Sequence, residues 1–145
     1  MATIVPYTFE KKEERVLYFT SLVKGMKVLI ATEKPFARKA VDGITEILKA
    51  AEYEVVLLEK YTDKAELLAA VADVDAMIVR SDKVTKEVLE AAKNLKIVVR
   101  AGAGFDNVDC EEAKQRGVVV MNTPGQNSNA VAELAVCFMV YMSRN

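Results

Sequence analysis

From Met26 onward, short apolar runs alternate with stretches in which apolar positions recur every three or four residues. KVLIA (Lys27 to Ala31), EVVLLE (Glu54 to Glu59), AMIVR (Ala76 to Arg80), KIVVR (Lys96 to Arg100) and VVVM (Val118 to Met121) are short and rich in Val, Ile and Leu. Such runs predict five strands, the first of them a buried one. Between the first two, Phe36, Ala40, Val41, Ile44, Ile47 and Leu48 fall on one face of a helix that runs from Pro35 to Ala51. A second helix over DKAELLAAV takes Thr62 as its N-cap, with Ala65 where a capping box would want Glu. A third spans Thr85 to Lys93, and a short fourth runs from about Asp109 to Arg116, stopped by Gly117. Asn122-Thr123-Pro124-Gly125 is turn chemistry, and a last helix starts near Ser128.

Continuous strands alternating with helices predict a parallel sheet covered on both faces. Five such units make an α/β fold, a flavodoxin-like doubly wound sheet with strand order 2-1-3-4-5. Residues 1–25 do not fit the alternation and are set aside as an N-terminal extension, so the domain is 26–145. The last helix stands apart, because from Ala130 to Met142 (AVAELAVCFMVYM) only Glu133 is charged. A helix apolar on nearly every side must be covered on nearly every side. It is either a central core helix or one sandwiched against a second domain or subunit.

Composition narrows the function. With 52% hydrophobic and 28% charged residues in 145, the chain is a globular domain. Lys and Arg number 20 against 21 acids, with no basic stripe, which argues against a nucleic-acid partner. The longest apolar run, Leu134 to Met142, is far short of the roughly 20 residues a membrane span needs. The acid-containing N-terminal segment makes a poor secretory signal. Cys110 and Cys137 have no metal-ligand spacing and read as buried, reduced thiols of a cytoplasmic protein. The chain contains no histidine, which removes the commonest general base and the commonest metal ligand together. No catalytic residue and no metal site is assigned.

In open parallel sheets, ligands collect outside the carboxyl ends of the strands. There the sequence places Thr32-Glu33, Arg80-Ser81-Asp82, Arg100 with its glycine loop, and Asn122-Thr123-Pro124. Two strands ending in arginine, with loop amides between them, suit a small anion carrying carboxylate or phosphate. The loop RAGAGFDNVD lacks a third small residue where Asn107 stands, and no acid ends the next strand, so it is a weak dinucleotide fingerprint. Gly102 and Gly104 are expected to permit positive φ angles and a close approach of main-chain N–H groups to a ligand. The plainer alternative stays beside this one: glycines after a strand are often turn residues, and terminal arginines often solvated charges.

Arg80-Ser81, RAGAGFDNVD and VVVMNTPGQNSNAVAEL, taken together, resemble the N-terminal half of the D-isomer-specific 2-hydroxyacid dehydrogenases, and within them the phosphoglycerate branch. The resemblance covers about Lys27 to Asn145. It implies a substrate-binding domain, a hydrophobic C-terminal crossover helix, and an NAD-binding domain with the catalytic residues outside this chain. The implied activity is NAD-dependent oxidation of 3-phosphoglycerate to 3-phosphohydroxypyruvate, a step of serine biosynthesis, by a cytoplasmic homodimer when full-length. The implied site has Arg100, Ala101, Gly102 and Gly104 receiving the substrate carboxylate. Arg80 and Ser81 would lie near its phosphate, Asn127 would face the cleft, and Ala103 would turn towards the nicotinamide. The resemblance implies that many members of the phosphoglycerate branch carry threonine, whose hydroxyl can join the cofactor site, where this chain has Ala103; alanine lacks that hydroxyl but leaves the backbone amides intact. A dehydrogenase for another 2-hydroxy acid and a non-enzymatic co-repressor module of the same family are the rival readings. A phosphorylatable receiver domain shares the strand order but needs an acid where Arg80-Ser81 stand and a lysine where Asn122-Thr123 stand, and it fails on both.

Overall fold

The computed structural model describes residues 25–144. Its five strands are β1 (Lys27–Thr32), β2 (Glu54–Glu59), β3 (Ala76–Val79), β4 (Ile97–Arg100) and β5 (Val119–Asn122), all parallel, in the order β2-β1-β3-β4-β5. The helices are α1 (Arg38–Ala50), α2 (Lys64–Val71), α3 (Lys86–Ala91), α4 (Cys110–Gln115) and α5 (Ser128–Met142). The strand order is therefore the one read from the alternating pattern, and element boundaries shift by no more than three residues.

Register divides the strand residues between two faces. Leu29 lies opposite Val56 and Met77, Met77 opposite Val98, and Val98 opposite Val120. On this face Leu29, Met77 and Val98 join Leu67 and Val71 of α2, Val88 and Leu89 of α3, and Ala113 of α4 in one buried cluster, against which the partly buried Val56 and Val120 pack. Right-handed crossovers explain the layering: three of the four connections advance in one direction across the sheet and put their helices on one side. The β1-to-β2 connection runs the other way and carries α1 to the opposite face. There Val28, Ile30 and Val41 are buried outside the main cluster. Towards β5 that second face is bare, with Val119 and Met121 more than half exposed.

Two local differences from the sequence reading have simple causes. Asp63, not Thr62, caps α2: its carboxylate accepts from Ala65 N–H at 2.9 Å. Glu66 reaches back to the Asp63 N–H at 3.3 Å, so a capping box is present one residue later than placed. The cysteines are free, but Cys110 is half-buried and Cys137 exposed, not buried. Cys110 opens α4 and packs at the edge of the core cluster; for Cys137 the reason lies in α5, none of whose residues is buried. The helix is thus not a core helix of the described residues, and Phe138, Met139 and Tyr141 face outward. No helix among the described residues is long and apolar enough to cross a membrane. The N-terminal extension proposed for residues 1–25 lies, apart from Gly25, outside the described residues.

Candidate anion-binding edge

Each candidate residue sits where a strand runs out. Val79 pairs with Arg100 and Arg100 with Asn122, so the loops after β3, β4 and β5 leave the sheet side by side. Arg80 is exposed and Arg100 half-buried. Arg100 Nε donates to the Arg80 carbonyl at 2.9 Å, which draws the two residues together at the same edge. No carboxylate pairs with either guanidinium among the described residues. Two cations held together without an internal partner form a site of positive potential suited to an anion.

The glycine loop is folded by a few definite bonds. The Ala101 N–H donates to Val79 O at 2.8 Å, extending the sheet, and the Gly102 N–H turns back to Arg100 O at 2.9 Å. Gly102 O accepts from Thr123 N–H at 3.0 Å, and Ala103 O from Asn122 Nδ2 at 2.7 Å. The loop is thereby fastened on its carbonyl side to the start of the turn after β5. The N–H groups of Ala103 and Gly104 have no hydrogen-bond partner among the described residues. The N–H groups of Phe105, Asp106 and Asn107, farther along the loop, are likewise without a partner among the described residues. Ser81 and Asn127 are exposed nearby in sequence to β3 and α5, Asn127 at the α5 N-cap without a capping bond.

Neither Gly102 nor Gly104 has a positive φ, contrary to expectation; the positive-φ glycines are Gly25, Gly117 and Gly125. The need at position 102 is space. A Cβ there would lie 1.9 Å from Arg100 Nη1 and 2.6 Å from Cζ, so the bare main chain lets the guanidinium settle against it. Gly117 and Gly125, by contrast, do supply left-handed turns, after α4 and in the Asn122-to-Gly125 turn.

Behind this surface lies a buried polar knot that composition and motif did not reveal. Asp82, 4% exposed, accepts from Glu33 N–H at 2.7 Å and from the Tyr61 hydroxyl at 2.6 Å, both on Oδ1. Its carbonyl accepts from Asn107 Nδ2 at 2.8 Å. Burial, then the hydrogen bond and charge of Asp82, push the Tyr61 phenol well above its ordinary pKa. Asp82 Oδ2, Thr85 Oγ1 and Asn107 Oδ1 are buried without a hydrogen-bond partner. The signal available in sequence was an acid beside Arg80-Ser81; nothing marked Tyr61.

The loop does not build a dinucleotide cradle. Where a third small residue would stand, Asn107 spends its amide on the Asp82 carbonyl, and β5 ends on Asn122 instead of an acid. Among the described residues there is also no cluster of His, Cys, Asp and Glu fit to hold a metal ion.

Known proteins resemble the chain over most of its length. Residues 28–142 match the family model described as D-isomer specific 2-hydroxyacid dehydrogenase, catalytic domain. The chain is 42% identical over 120 residues to D-3-phosphoglycerate dehydrogenase of Archaeoglobus fulgidus, which takes in 82% of this chain and 21% of that protein. It is 43% identical over 102 residues to hydroxypyruvate reductase of Thermotoga maritima, covering 70% of this chain and 33% of the relative. Among solved structures, NAD+-bound 3-phosphoglycerate dehydrogenase of Entamoeba histolytica superposes with a TM-score of 0.76 and 52% identity, over 81% of this chain and 39% of that one. The chain therefore spans well under half the length of these relatives. With a match that runs from the first strand to the last helix, the chain belongs to the family of D-isomer-specific 2-hydroxyacid dehydrogenases.

Proposed function

We propose that this chain is the substrate-binding portion of an NAD-dependent dehydrogenase that oxidises 3-phosphoglycerate at its 2-hydroxyl to 3-phosphohydroxypyruvate. The observation that carries the reading is the pair Arg80 and Arg100, joined at one edge with no acidic partner among the described residues, beside the unbonded N–H groups of Ala103 and Gly104. A phosphorylated hydroxy acid carries two anionic groups, and two guanidiniums with a pair of main-chain donors match both. Relatives named as D-3-phosphoglycerate dehydrogenase, 42 to 51% identical, support the choice of substrate.

Within the loop, the amides of Ala101 and Gly102 are spent on the protein itself, so the carboxylate is assigned to the first unspent ones after Arg100, those of Ala103 and Gly104. Arg100 closes over it, and Arg80 with Ser81 meets the phosphate. Asn127 borders the same cleft. NAD, bound mainly outside this chain with Ala103 at its rim, would supply the hydride acceptor. This chain's part is to fix the substrate's two charged ends so that one C–H bond is presented in a single orientation. With no histidine to take the hydroxyl proton, the 145-residue chain is not expected to turn over alone. A cytoplasmic homodimer accompanies the reading for the longer protein.

The test is calorimetric. Titration of the chain with 3-phosphoglycerate, glycerate and phosphate should give the tightest binding for the first. Arg100→Ala should weaken it by about 1.5–3 kcal/mol, the usual worth of a charge-assisted contact. Equal affinity for glycerate would move the reading to another 2-hydroxy acid. Unchanged binding in Arg100→Ala would favour the non-enzymatic module. With NAD and 3-phosphoglycerate present, no NADH absorbance should develop, and measurable turnover would overturn the division of labour.

A further inference from the structure

Asp82 occupies an unusual position among the loops of the carboxyl edge. Its side chain receives the Glu33 N–H from the loop after β1 and the Tyr61 hydroxyl from the loop after β2. Its own main chain belongs to the loop after β3, two residues from Arg80, and its carbonyl receives Asn107 Nδ2 from the loop after β4. Four loops thus converge on one buried residue. The last of these ties is reinforced by a parallel bridge between Val84 and Val108, with Val84 N–H on Asn107 O and Asp109 N–H on Val84 O, both at 2.9 Å. The bridge locks the segment carrying Arg80 to the segment carrying the glycine loop.

A buried carboxylate with no cationic partner among the described residues is costly for stability alone, and well-packed apolar groups often serve a core better. What this one secures is relative placement. Without it, the loops after β1 and β2 lose their common anchor, and the loop after β3 loses its hold on both. We infer that Asp82 is a positioning residue: its carboxylate, held by the Glu33 N–H and the Tyr61 hydroxyl, steadies the loop that carries Arg80, which its main-chain carbonyl joins through Asn107 to the glycine loop, and so keeps Arg80 and the Ala103–Gly104 amides at the separation an anion with two charged ends requires. The inference rests on the proposed substrate reading and deepens it. Asp82 itself touches no substrate; it acts through the loops it joins.

The geometry also says how the substitution series must run. Oδ1 carries both side-chain bonds and Oδ2 carries none, so Asp82→Asn keeps an acceptor where the bonds are made, whereas Asp82→Ala removes it. Tyr61→Phe deletes one tie and leaves the others. Leu95→Ala is the control, since Leu95 is buried at the amino end of β4, the far edge of the sheet.

The experiment uses the 145-residue chain, with calorimetric affinity for 3-phosphoglycerate, the melting temperature, and amide hydrogen exchange at Val108 and Thr123. Asp82→Ala is expected to lower affinity at least tenfold and to speed exchange at both amides. Tyr61→Phe, which deletes one of the two ties to the carboxylate and leaves the other, should lower affinity about threefold. Asp82→Asn should restore most of the affinity lost in Asp82→Ala. Leu95→Ala should lower the melting temperature as far while leaving affinity and both amides alone. If Asp82→Ala behaves as Leu95→Ala does, Asp82 is only structural and the inference is overturned. Should the unsubstituted chain fail to bind 3-phosphoglycerate, the substrate reading falls by itself. Exchange at Val108 and Thr123 still decides the clamp: faster in Asp82→Ala alone supports it, unchanged overturns it.

Discussion

At the amino edge of the sheet, charges are matched within the chain; at the carboxyl edge they are not. Asp75, just before β3, accepts from the Lys27 main-chain N–H at 3.1 Å and from Lys96 Nζ at 2.9 Å. Lys27 Nζ in turn lies 3.3 Å from Asp73 and 3.6 Å from Glu54. The N–H bond from Lys27, helped by Lys96, holds the Asp75 carboxyl below its ordinary range, while Asp73 and Glu54 raise the Lys27 amine. Across the sheet, among the described residues, Arg80 and Arg100 have no acid, the Ala103 and Gly104 amides have no acceptor, and Asp82 is buried with an oxygen unused. One edge is satisfied internally and serves stability. The other is left unsatisfied in the manner of a surface that completes its bonding with a ligand.

The contrast can be broken from the middle. Met77, fully buried on the central strand, supports both edges, and Met77→Ala should cost about 2–5 kcal/mol in urea unfolding, with both edges melting together. Asp75→Asn acts on one edge only. A carboxyl held low in the folded state contributes stability above the ordinary carboxylate range and loses it as pH falls through the folded value. The substitution should therefore cost about 1 kcal/mol at neutral pH, less as the solution is acidified, and change ligand affinity not at all. Urea titrations across the acid range read this directly; a gap that stays constant with pH would remove the assigned role of Asp75. The smallest effect belongs to the ion pair between Lys64 of α2 and Glu87 of α3, both well exposed. Lys64→Ala should shift stability by less than about 1 kcal/mol, and added salt should erase the shift.

The satisfied parts of the molecule were the legible ones. The strand run Lys27–Thr32 shows in sequence because a strand buried on both faces has to be apolar nearly throughout. Gly117 marked the end of α4 because a left-handed residue there has a chemical signature. The cap of α2 slipped by one because Thr62 and Asp63 are both good caps, and only the reach of Glu66 chooses between them. At the carboxyl edge, the arginines and glycines stood out by type, but the reason for Gly102 did not. It is a contact with a side chain two residues back, not a main-chain angle. Tyr61 stayed hidden because its partner is 21 residues away, and nothing local distinguishes it from a core tyrosine. The last helix shows the limit from the other side. Its sequence demands cover that the described residues do not supply, so its composition alone could not say on which molecule or segment that cover lies.

The central claim, that the unsatisfied edge is the anion site, is tested most directly by titrating isotope-labelled chain with 3-phosphoglycerate and following the main-chain amides. Movements should concentrate at Arg80, Ser81, Ala103, Gly104 and Asn127, and those of Asp73, Asp75 and Lys96 should stay still. Movement centred on the amino edge, or none at millimolar ligand, would contradict it.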